Sequence, residues 1–331
     1  METKVFEMSP LNVGYGDIEK AAEILKGGGL VAFPTETVYG LGADCENKNA
    51  VKSIFEAKGR PMDNPLIVHV SDIAMCERYV SHIPEKAEIL MNKFWGGPLT
   101  IVMKRSKYAI DEVTAGGETV AIRLPSHPIA HELIKATKKG IAAPSANLSG
   151  KPSPTLAEHV IEDFDGKIPC IISGGKAEHG LESTVIDLSG ERPLVLRPGV
   201  ISLDMIKELL PDAVYGGGGE GIPKSPGMKY KHYAPDAKVI VVKGDMIKEA
   251  EKYKGKVLFM DYEDQRAIYN AENFLPVGCD DTSYAASLFW LLRLADTKKA
   301  DFVLAKDPRG NMPVSDALCN RLYKSAGGNI V

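Results

Sequence analysis

The chain has 331 residues, of which 44% are hydrophobic and 25% are charged, and its formal net charge is −4. This length suits two domains that each bury a core, and the composition is typical of a soluble globular protein. The pI of about 6.0 excludes a surface that attracts polyanions through overall positive charge. Any chemistry on phosphates therefore requires a local cluster of cations.

The cysteines and the N-terminus indicate the compartment. The five cysteines form no C-x-x-C pair, and they are Cys45, Cys76, Cys170, Cys279 and Cys319. An odd, scattered set argues against a disulfide framework or a zinc site and favours a reducing compartment. The N-terminal METKVFEMSP lacks a basic segment followed by an apolar one, and no apolar run approaches membrane-spanning length. We therefore expect a cytoplasmic protein that makes no membrane contact.

Helical and strand patterns alternate through the first two thirds of the chain. Asp17 is predicted to cap a first helix that stops at Gly27. Further helices are predicted at 50–58, 72–80, 84–94, from Pro128 onward, at 155–163 and at 203–210. Strands are predicted at 30–33, 66–70, 100–103, 120–124, 141–143, 170–173, 184–188 and 194–197. Because several strands follow one another without a helix, the pattern predicts an α/β domain with a mixed sheet.

The last third of the chain predicts a second, smaller domain. A strand at 238–242, a helix at 245–253 and a strand at 256–260 form a βαβ pattern. A helix at 281–297, a strand at 301–304 and a helix at 314–324 follow. The pattern is typical of a small Rossmann-like α/β domain. The predicted organisation is a first domain at 1–212, a linker at 213–236 and a second domain at 237–331.

The linker has an unusual composition. It contains four consecutive glycines at 216–219, and its later part is dense in cations and rings, namely Lys229, Tyr230, Lys231, His232 and Tyr233. One interpretation makes 216–221 a hinge and 225–235 a lid over a ligand cleft, with the lysines reaching phosphate oxygens and the rings excluding water. The alternative is an ordered tether that packs on the surface.

Polar stretches interrupt the strand–helix junctions at 33–42, 58–66, 121–128, 143–154, 181–188 and 196–199. They carry the cations Lys58, Arg60, Arg123 and Arg197 and the hydroxyls of Thr35, Thr37, Ser145, Ser149, Ser153, Ser183 and Thr184. A triphosphate requires several fixed positive charges with hydroxyl or backbone donors between them. Ligands of open α/β sheets bind at the carboxyl ends of strands, so we expect a phosphate site there. Each cation taken singly is better explained as a solvated surface charge, whereas the four together beside hydroxyl-rich turns are explained equally well by a ligand site.

Several common sites are disfavoured. The sequence contains no G-x-x-x-x-G-K-[ST] loop, no G-x-G-x-x-G between strand and helix, and no G-x-S-x-G elbow. His127 and His131 have the spacing of a metal pair, but Pro128 is predicted to begin the helix and leaves His127 at its cap. His69 ends an apolar strand and is either a structural hydrogen-bonding residue or a ligand contact. Cys45 has no evident histidine partner, which favours an ordinary buried cysteine.

Six stretches together resemble a known family. They are AFPTETVYGLG, AKGRPMDNPLIVHV, TVAIRLPSHP, APSANLSGKPSPT, LESTVIDL and LRPG. In order and spacing they resemble the motifs of the YrdC-like domain of threonylcarbamoyl-AMP synthases. SPGMKYKHYAP resembles the linker of the long, two-domain form of that family. The resemblance extends from residue 1 to about 240 and implies a twisted mixed sheet with a concave, positively charged cavity.

The resemblance also implies a reaction. L-threonine, bicarbonate or CO₂, and ATP with Mg²⁺ would give threonylcarbamoyl-adenylate and pyrophosphate. A downstream transferase complex would then use the product to modify the adenosine beside the anticodon in tRNAs that read ANN codons. Threonine's own amine attacks CO₂, and the carbamate attacks the α-phosphate, so this nucleotidyltransferase chemistry requires no nucleophile from the protein. It depends on orientation and on cations that stabilise charge at phosphorus.

The family motifs assign residue roles by position. The implied threonine contacts are Thr35, His69, Arg123 and Ser183. The implied ATP contacts are Lys58, Arg60, Met62, Thr119, Ala143, Ser145, Asn147, Ser153, Arg197, His232 and Tyr233. Lys58 and Arg60 are the implied catalytic residues. The Arg123 guanidinium would pair with the threonine carboxylate in a two-pronged contact.

Two other functions were weighed. Carbamoyltransferases of hydrogenase maturation use a related domain, but they carry an acylphosphatase-like region and paired C-x-x-C zinc modules, and this sequence has neither. A concave basic surface would also suit double-stranded RNA. Net charge −4 and the lack of a basic helical stripe disfavour RNA binding as the main role and leave a weak RNA contact open.

Overall fold

The computed structural model describes residues 2–216 and 233–331. Residues 2–216 contain one mixed sheet of eleven strands in the order β1-β8-β2-β3-β7-β4-β6-β5-β9-β10-β11. The strands are β1 (Lys4–Glu7), β2 (Val31–Phe33), β3 (Gly40–Asp44), β4 (Ile67–His69), β5 (Leu99–Lys104), β6 (Thr119–Arg123), β7 (Ile141–Ala142), β8 (Cys170–Ser173), β9 (Thr184–Asp187), β10 (Leu194–Arg197) and β11 (Val214–Tyr215). The prediction of a mixed sheet is confirmed.

Helices cover both faces of this sheet. They are α1 (Tyr15–Lys26), α2 (Lys48–Lys58), α3 (Ile73–Tyr79), α4 (Glu85–Phe94), α5 (Asp111–Thr114), α6 (Pro128–Thr137), α7 (Ala157–Phe164) and α8 (Leu203–Lys207). Val31 and Phe33 pack with α1 and α6, whereas Ala32 between them packs in the cluster of α2 and α4. Alternate residues of a strand point to opposite faces, so β2 is buried on both sides.

The ends of two helices show how local chemistry sets position. The Gly14 carbonyl already accepts the amides of Asp17 and Ile18, so α1 begins at Tyr15 and the predicted cap at Asp17 is wrong. Helix α2 begins two residues before its predicted start, because the Asn47 side chain accepts the amides of residues 49 and 50. It ends at Gly59, whose φ of 60° lies in the left-handed region. This end places Lys58 at the entrance of the 58–66 segment.

Residues 233–331 contain a separate parallel sheet of four strands in the order β12-β15-β13-β14. The strands are β12 (Lys238–Val242), β13 (Val257–Asp261), β14 (Phe274–Pro276) and β15 (Phe302–Lys306), and the helices are α9 (Met246–Ala250), α10 (Asp281–Thr297) and α11 (Ser315–Ser325), with a 3₁₀ turn at Glu263–Ile268. Reciprocal hydrogen bonds between Asp280 and Ser283 begin α10 at its predicted start. A second, smaller α/β region with its own sheet is therefore confirmed.

The predicted boundaries at 212/213 and 236/237 stay a prediction. The hinge at 216–221 and the lid at 225–235 fall almost entirely outside the described residues, as do Lys229, Tyr230, Lys231 and His232. Within the described ranges no helix is both long enough and apolar enough to cross a membrane.

The two sheets share a buried interface. Val38 and Leu181, from loops of the large sheet, lie in one apolar cluster with Leu288 and Phe289 of α10. At Gly180, φ is +68°, and a Cβ atom there would lie 2.6 Å from backbone atoms of Ala286. Glycine is thus the residue that lets this loop approach the backbone of α10.

We expect Gly180→Ala to lower the melting temperature, because neither the loop backbone nor the helix backbone can yield without breaking contacts. A loss of about 1–3 kcal/mol in the free energy of unfolding is expected from the positive φ and the overlap together. Gly190→Ala is the matched control, because no atom lies within 4 Å of its Cβ position. Equal melting curves for the two variants would contradict this packing.

Candidate active site

A cleft of about 750 Å³, continuous with solvent, lies over one face of the large sheet. Among the described residues, its lining includes the five cations Lys58, Arg60, Arg123, Lys151 and Arg197 and one carboxylate, Glu182. The cleft is therefore locally positive on a chain of net negative charge, which favours an anionic ligand.

The mixed sheet places this cleft differently from our expectation. Strands β4 and β7 are antiparallel neighbours, so their carboxyl ends point in opposite directions. Even so, Ile67 and His69 of β4 and Ala143 after β7 all line the same cleft. The residues expected at the carboxyl ends of strands do line the cleft, but these ends do not lie along one edge of the sheet. The polar stretches meet across the face of the sheet, where alternate residues of one strand point the same way.

Arg123 carries the first group of contacts. Its Nη2 lies 2.7 Å from Oε1 of Glu36, and its Nη1 donates to the Thr37 hydroxyl at 2.8 Å. Both charged side chains are buried, with 4% and 3% of their surfaces exposed. Burial acts to raise the pKa of Glu36, but the Arg123 guanidinium outweighs it and holds the pKa below its usual value. Arg123 is thus an oriented cation. Its charge is partly compensated by Glu36, which does not line the cleft.

The sequence analysis missed Glu36. It lies in the FPTETVYGLG stretch between the two threonines, and Thr35 was the residue chosen there. Thr35 donates to the Val38 carbonyl at 2.6 Å and lines the cleft. Glu36 does not line the cleft, and nothing in its local sequence indicates a partner 87 residues away.

His69 lies beside Arg123, its register partner on the parallel strand β6. The ring is buried and packs edge-on against Phe33, with 6.0 Å between ring centroids. Burial, followed by the charge of Arg123, lowers the pKa of His69 to about 3. Its Nδ1 has no hydrogen-bond partner within the described ranges. The imidazole is therefore neutral at physiological pH and offers the cleft a hydrogen bond instead of a charge.

Ser183 joins the implied threonine contacts to the implied nucleotide contacts. Its hydroxyl lies 2.8 Å from that of Thr100 and accepts Nη2 of Arg197 at 3.2 Å. The Ser183 carbonyl accepts Nε of Arg197 at 3.1 Å. Burial, then the charge of Arg321, lowers the pKa of Arg197 to about 10. Arg197 remains cationic at neutral pH and is fixed against β9.

Lys58 organises the other side of the cleft. Its ammonium donates to the carbonyls of Ser145 and Asn147, and the Ser145 hydroxyl donates to the Asn147 side chain at 2.6 Å. Burial, with the nearby charge of Arg60, holds the pKa of Lys58 well below its usual value. The segment after β7 is therefore wrapped around the end of α2, and Ala143, Ser145 and Asn147 line the cleft together with Lys58 and Arg60.

The remaining residues of the implied nucleotide set lie elsewhere or at the edge. Met62 is 41% exposed and is not among the lining residues. Thr119 is at the opposite end of β6 from Arg123 and lines a separate groove with Pro65. Ser153 is fully buried behind the wall, where it donates to Glu182. His232 lies outside the described residues, and Tyr233 lines the cleft. These placements leave the assigned roles as predictions.

The structure adds three residues that the sequence analysis did not choose, namely Lys151, Glu182 and Arg321. Arg321 belongs to α11 of the second sheet, and its Nε lies 2.8 Å from Oε2 of Glu182. It follows Leu318 by three residues and Ala317 by four, which places it on the apolar face of its helix. That spacing indicates a buried arginine, but it does not indicate which carboxylate pairs with it.

The described residues do not form a metal centre. They contain no group of three or more histidine, cysteine, aspartate or glutamate side chains arranged to hold an ion. Mg²⁺ prefers oxygen ligands, above all carboxylates. Glu182, the carboxylate of the lining, is already bonded to Arg321 and Ser153. A magnesium site made by the protein therefore does not fit these residues.

The two histidines with metal-pair spacing have other positions. His131 contacts the Ser71 carbonyl at 3.0 Å, and His127 precedes α6 as predicted.

The fold and the cleft define an α/β protein of the YrdC-like class with a locally positive cleft. Residues 23–199 match the family model described as "Telomere recombination", and residues 201–327 match that described as "Threonylcarbamoyl-AMP synthase, C-terminal domain". The chain belongs to the threonylcarbamoyl-AMP synthase family, in its long two-domain form.

Relatives support this membership over nearly the whole chain. A threonylcarbamoyl-AMP synthase of Pyrococcus abyssi is 46% identical over 327 residues, which is 95% of each chain. One from Bacillus subtilis is 45% identical over 326 residues, covering 95% of this chain and 94% of the relative. The crystal structure of P. abyssi Sua5 complexed with L-threonine superposes with a TM-score of 0.93 at 42% identity, over 99% of both chains.

The Glu182–Arg321 pair predicts a pH dependence of stability. Burial acts to raise the pKa of Glu182, but Arg321 and then Arg197 lower it from 4.5 to about 2. The unfolded chain therefore binds the proton first, and the stability that the ionised carboxylate contributes is lost as pH falls from 4.5 toward 2. We expect Glu182→Gln to melt below wild type at pH 7, with the difference shrinking through this interval.

The measurement is thermal denaturation of both proteins from pH 7 to pH 3. Glu19→Gln, on the exposed side of α1, is the control and is expected to follow wild type throughout. A difference between Glu182→Gln and wild type that stays constant with pH would show that the carboxylate is not the titrating group.

Proposed function

We propose that this chain is an L-threonylcarbamoyladenylate synthase, a nucleotidyltransferase that makes threonylcarbamoyl-AMP and pyrophosphate from L-threonine, bicarbonate and ATP. The observation that carries the proposal is the meeting of five cations in one cleft of a chain that belongs to this family. The neutral His69 beside Arg123 supports it, because an amino acid requires hydrogen bonds as well as charge.

Threonine binds at the end of the cleft formed by Thr35, His69, Arg123 and Ser183. Arg123 contacts the carboxylate of the amino acid, and its other side stays on Glu36, which fixes the guanidinium plane. His69 and the hydroxyls of Thr35 and Ser183 contact the remaining polar atoms. The P. abyssi relative solved with L-threonine supports an amino-acid site in this fold.

The nucleotide lies along the face of β6, away from Arg123. Thr119 and Arg123 share this face with Ala121 and are separated by about 13 Å at the usual rise of a strand. Between them, Ala121 and Ile67 belong to a small apolar cluster on which a base can pack. Lys58, Arg60 and Arg197 surround the phosphates, with Tyr233 at the rim. This placement assigns Thr119 to the distal end of a long ligand, in the groove beyond the lining of the cleft.

The chemistry joins the two sites. Bicarbonate takes up a proton and loses water to give CO₂. The neutral threonine amine attacks the carbon of CO₂, and its nitrogen gives up a proton to solvent, which leaves a carbamate. An oxygen of the resulting carbamate attacks the α-phosphorus, and the bond to the leaving pyrophosphate breaks. Lys58 and Arg60 stabilise the charge that develops on the phosphate oxygens, and Arg197 holds the leaving group. Fixing three reactants in one cleft contributes roughly 7–11 kcal/mol in favourable cases. Mg²⁺ would enter with the phosphates of ATP, since Glu182, the carboxylate of the described lining, is already bonded to Arg321 and Ser153.

The product is a reactive mixed anhydride, so a transferase complex must receive it promptly. We propose that it serves the N6-threonylcarbamoyladenosine modification of tRNAs reading ANN codons. A cytoplasmic location is part of the proposal, and the five cysteines support it because all are free thiols.

The proposal predicts that pyrophosphate release requires threonine and bicarbonate together. Purified protein with ATP, threonine and bicarbonate should form threonylcarbamoyl-AMP, detected by mass spectrometry, in a 1:1 ratio with pyrophosphate. Omitting either threonine or bicarbonate should remove both signals. Pyrophosphate release at full rate without threonine would overturn the assignment, and a steeply salt-dependent binding of RNA without turnover would favour an RNA-binding protein instead.

Substitutions at Arg123 and at Lys58 should affect different kinetic parameters. Arg123→Ala should raise the KM for threonine by about two orders of magnitude and change that for ATP little, since a two-pronged charged contact is lost. Arg123→Lys should recover little of this loss. Lys58→Met should instead reduce kcat. Arg192→Ala, at an exposed arginine, controls for loss of positive charge. Equal effects of Arg123→Ala on both substrates would contradict this division.

A further inference from the structure

We propose that Arg321 of the second sheet is a positioning residue of the cleft, which holds Glu182 away from Arg197 and so preserves the cations that bind the nucleotide phosphates. The inference rests on the proposed function, because it assigns Arg197 to ATP. It makes the second domain a physical part of the active site.

Arg321 and Glu182 form a closed, buried contact. Arg321 has no exposed surface and Glu182 has 7%. Nε of Arg321 lies 2.8 Å from one carboxylate oxygen, and the other oxygen accepts the Ser153 hydroxyl at 2.6 Å. Each oxygen of Glu182 thus has a buried partner, one from α11 and one from the 143–154 segment.

Two further contacts hold this arrangement in place. Arg321 donates from Nη1 to the Asn320 side chain at 3.0 Å, and its guanidinium carbon lies 5.9 Å from the Tyr233 ring centroid. Tyr233 in turn stacks on Phe289 of α10, with 5.0 Å between ring centroids. The cleft-lining Tyr233 is therefore supported by side chains from both α10 and α11.

A second arginine of the same domain, Arg293, fixes the position of Ser153, the other partner of Glu182. Arg293 of α10 is buried, donates from Nε and Nη2 to the Pro152 carbonyl, and contacts Asp163 at 2.7 Å. Pro152 directly precedes Ser153, so the residue that bonds to Glu182 is itself fixed from α10. Arg321 and Arg293 thereby set both ends of the Ser153–Glu182 contact.

Removing the Arg321 charge would leave a buried carboxylate without its main counter-charge. Breaking a buried pair from one side is strongly unfavourable, so the carboxylate turns to another cation. Arg197 is the candidate in the lining, because its Nε and Nη2 already contact Ser183, the residue after Glu182, and its charge already acts on that carboxylate. The low pKa of Glu182 has the same origin, since Arg321 and Arg197 both offset the effect of burial. Pairing with Glu182 would cancel the charge that Arg197 presents to phosphate.

The test is calorimetric titration of the full-length protein with ATP and, separately, with L-threonine. Arg321→Met should weaken ATP binding about tenfold and change threonine binding less than about twofold. Adding Glu182→Gln to Arg321→Met should restore ATP binding to near wild type, because no unpaired carboxylate remains. Arg321→Lys should fall between Arg321→Met and wild type. Arg266→Met, at an arginine of the second domain that is 54% exposed, is the control and should match wild type.

Each outcome decides the proposal. Equal losses for ATP and threonine in Arg321→Met, or a double variant that binds ATP no better than the single one, would make Arg321 a purely structural residue. If Arg321→Met does not fold, the double variant carries the test and must bind ATP like wild type. A wild type that binds ATP but forms no threonylcarbamoyl-AMP would overturn the proposed function and leave the binding comparison valid.

Discussion

Burying an arginine is costly unless a compensating group lies close by, and in the described part of this chain three of the four buried arginines are paired with a carboxylate around one cleft. Arg123 is paired with Glu36, Arg293 with Asp163 and Arg321 with Glu182. Desolvating both charges is costly, so such pairs are stable only in good geometry with their other atoms bonded. The 33–42 loop, the 143–154 segment and the 181–184 turn are therefore fixed relative to one another.

The pairs also explain how a chain of net charge −4 can hold a positive cleft. The compensating carboxylates Glu36 and Asp163 do not line it, whereas the cations Lys58, Arg60, Arg123, Lys151 and Arg197 do. Low-dielectric walls strengthen the field inside the cleft, while solvent screens the acidic surface outside. Net charge is thus a poor guide to the ligand, and the local arrangement decides it.

Some elements were predictable from sequence and others were not, for physical reasons. Helix α10 was predicted with its observed bounds, because its periodicity and its capping residues agree. Strand β3 was missed because GLGAD has no strand pattern. A Cβ at Gly42 would lie 2.6 Å from Ile141, so glycine is there for a contact that only the folded chain reveals. Most residues of the site were found from motifs, but Glu36 and Arg321 were not, since each is defined by a partner far away in sequence.

The Glu182–Arg321 contact has a consequence for how this protein can change over generations. A substitution at either position alone leaves a buried charge without its partner, and the cost falls on the other domain. The two positions can therefore be exchanged only together, or through an intermediate in which both charges are neutral. One ion pair joins α11 to the turn before β9. It therefore constrains sequence change in the second domain by what is present in the first. Substitutions in the two domains are therefore coupled at this contact, even though each sheet has its own core.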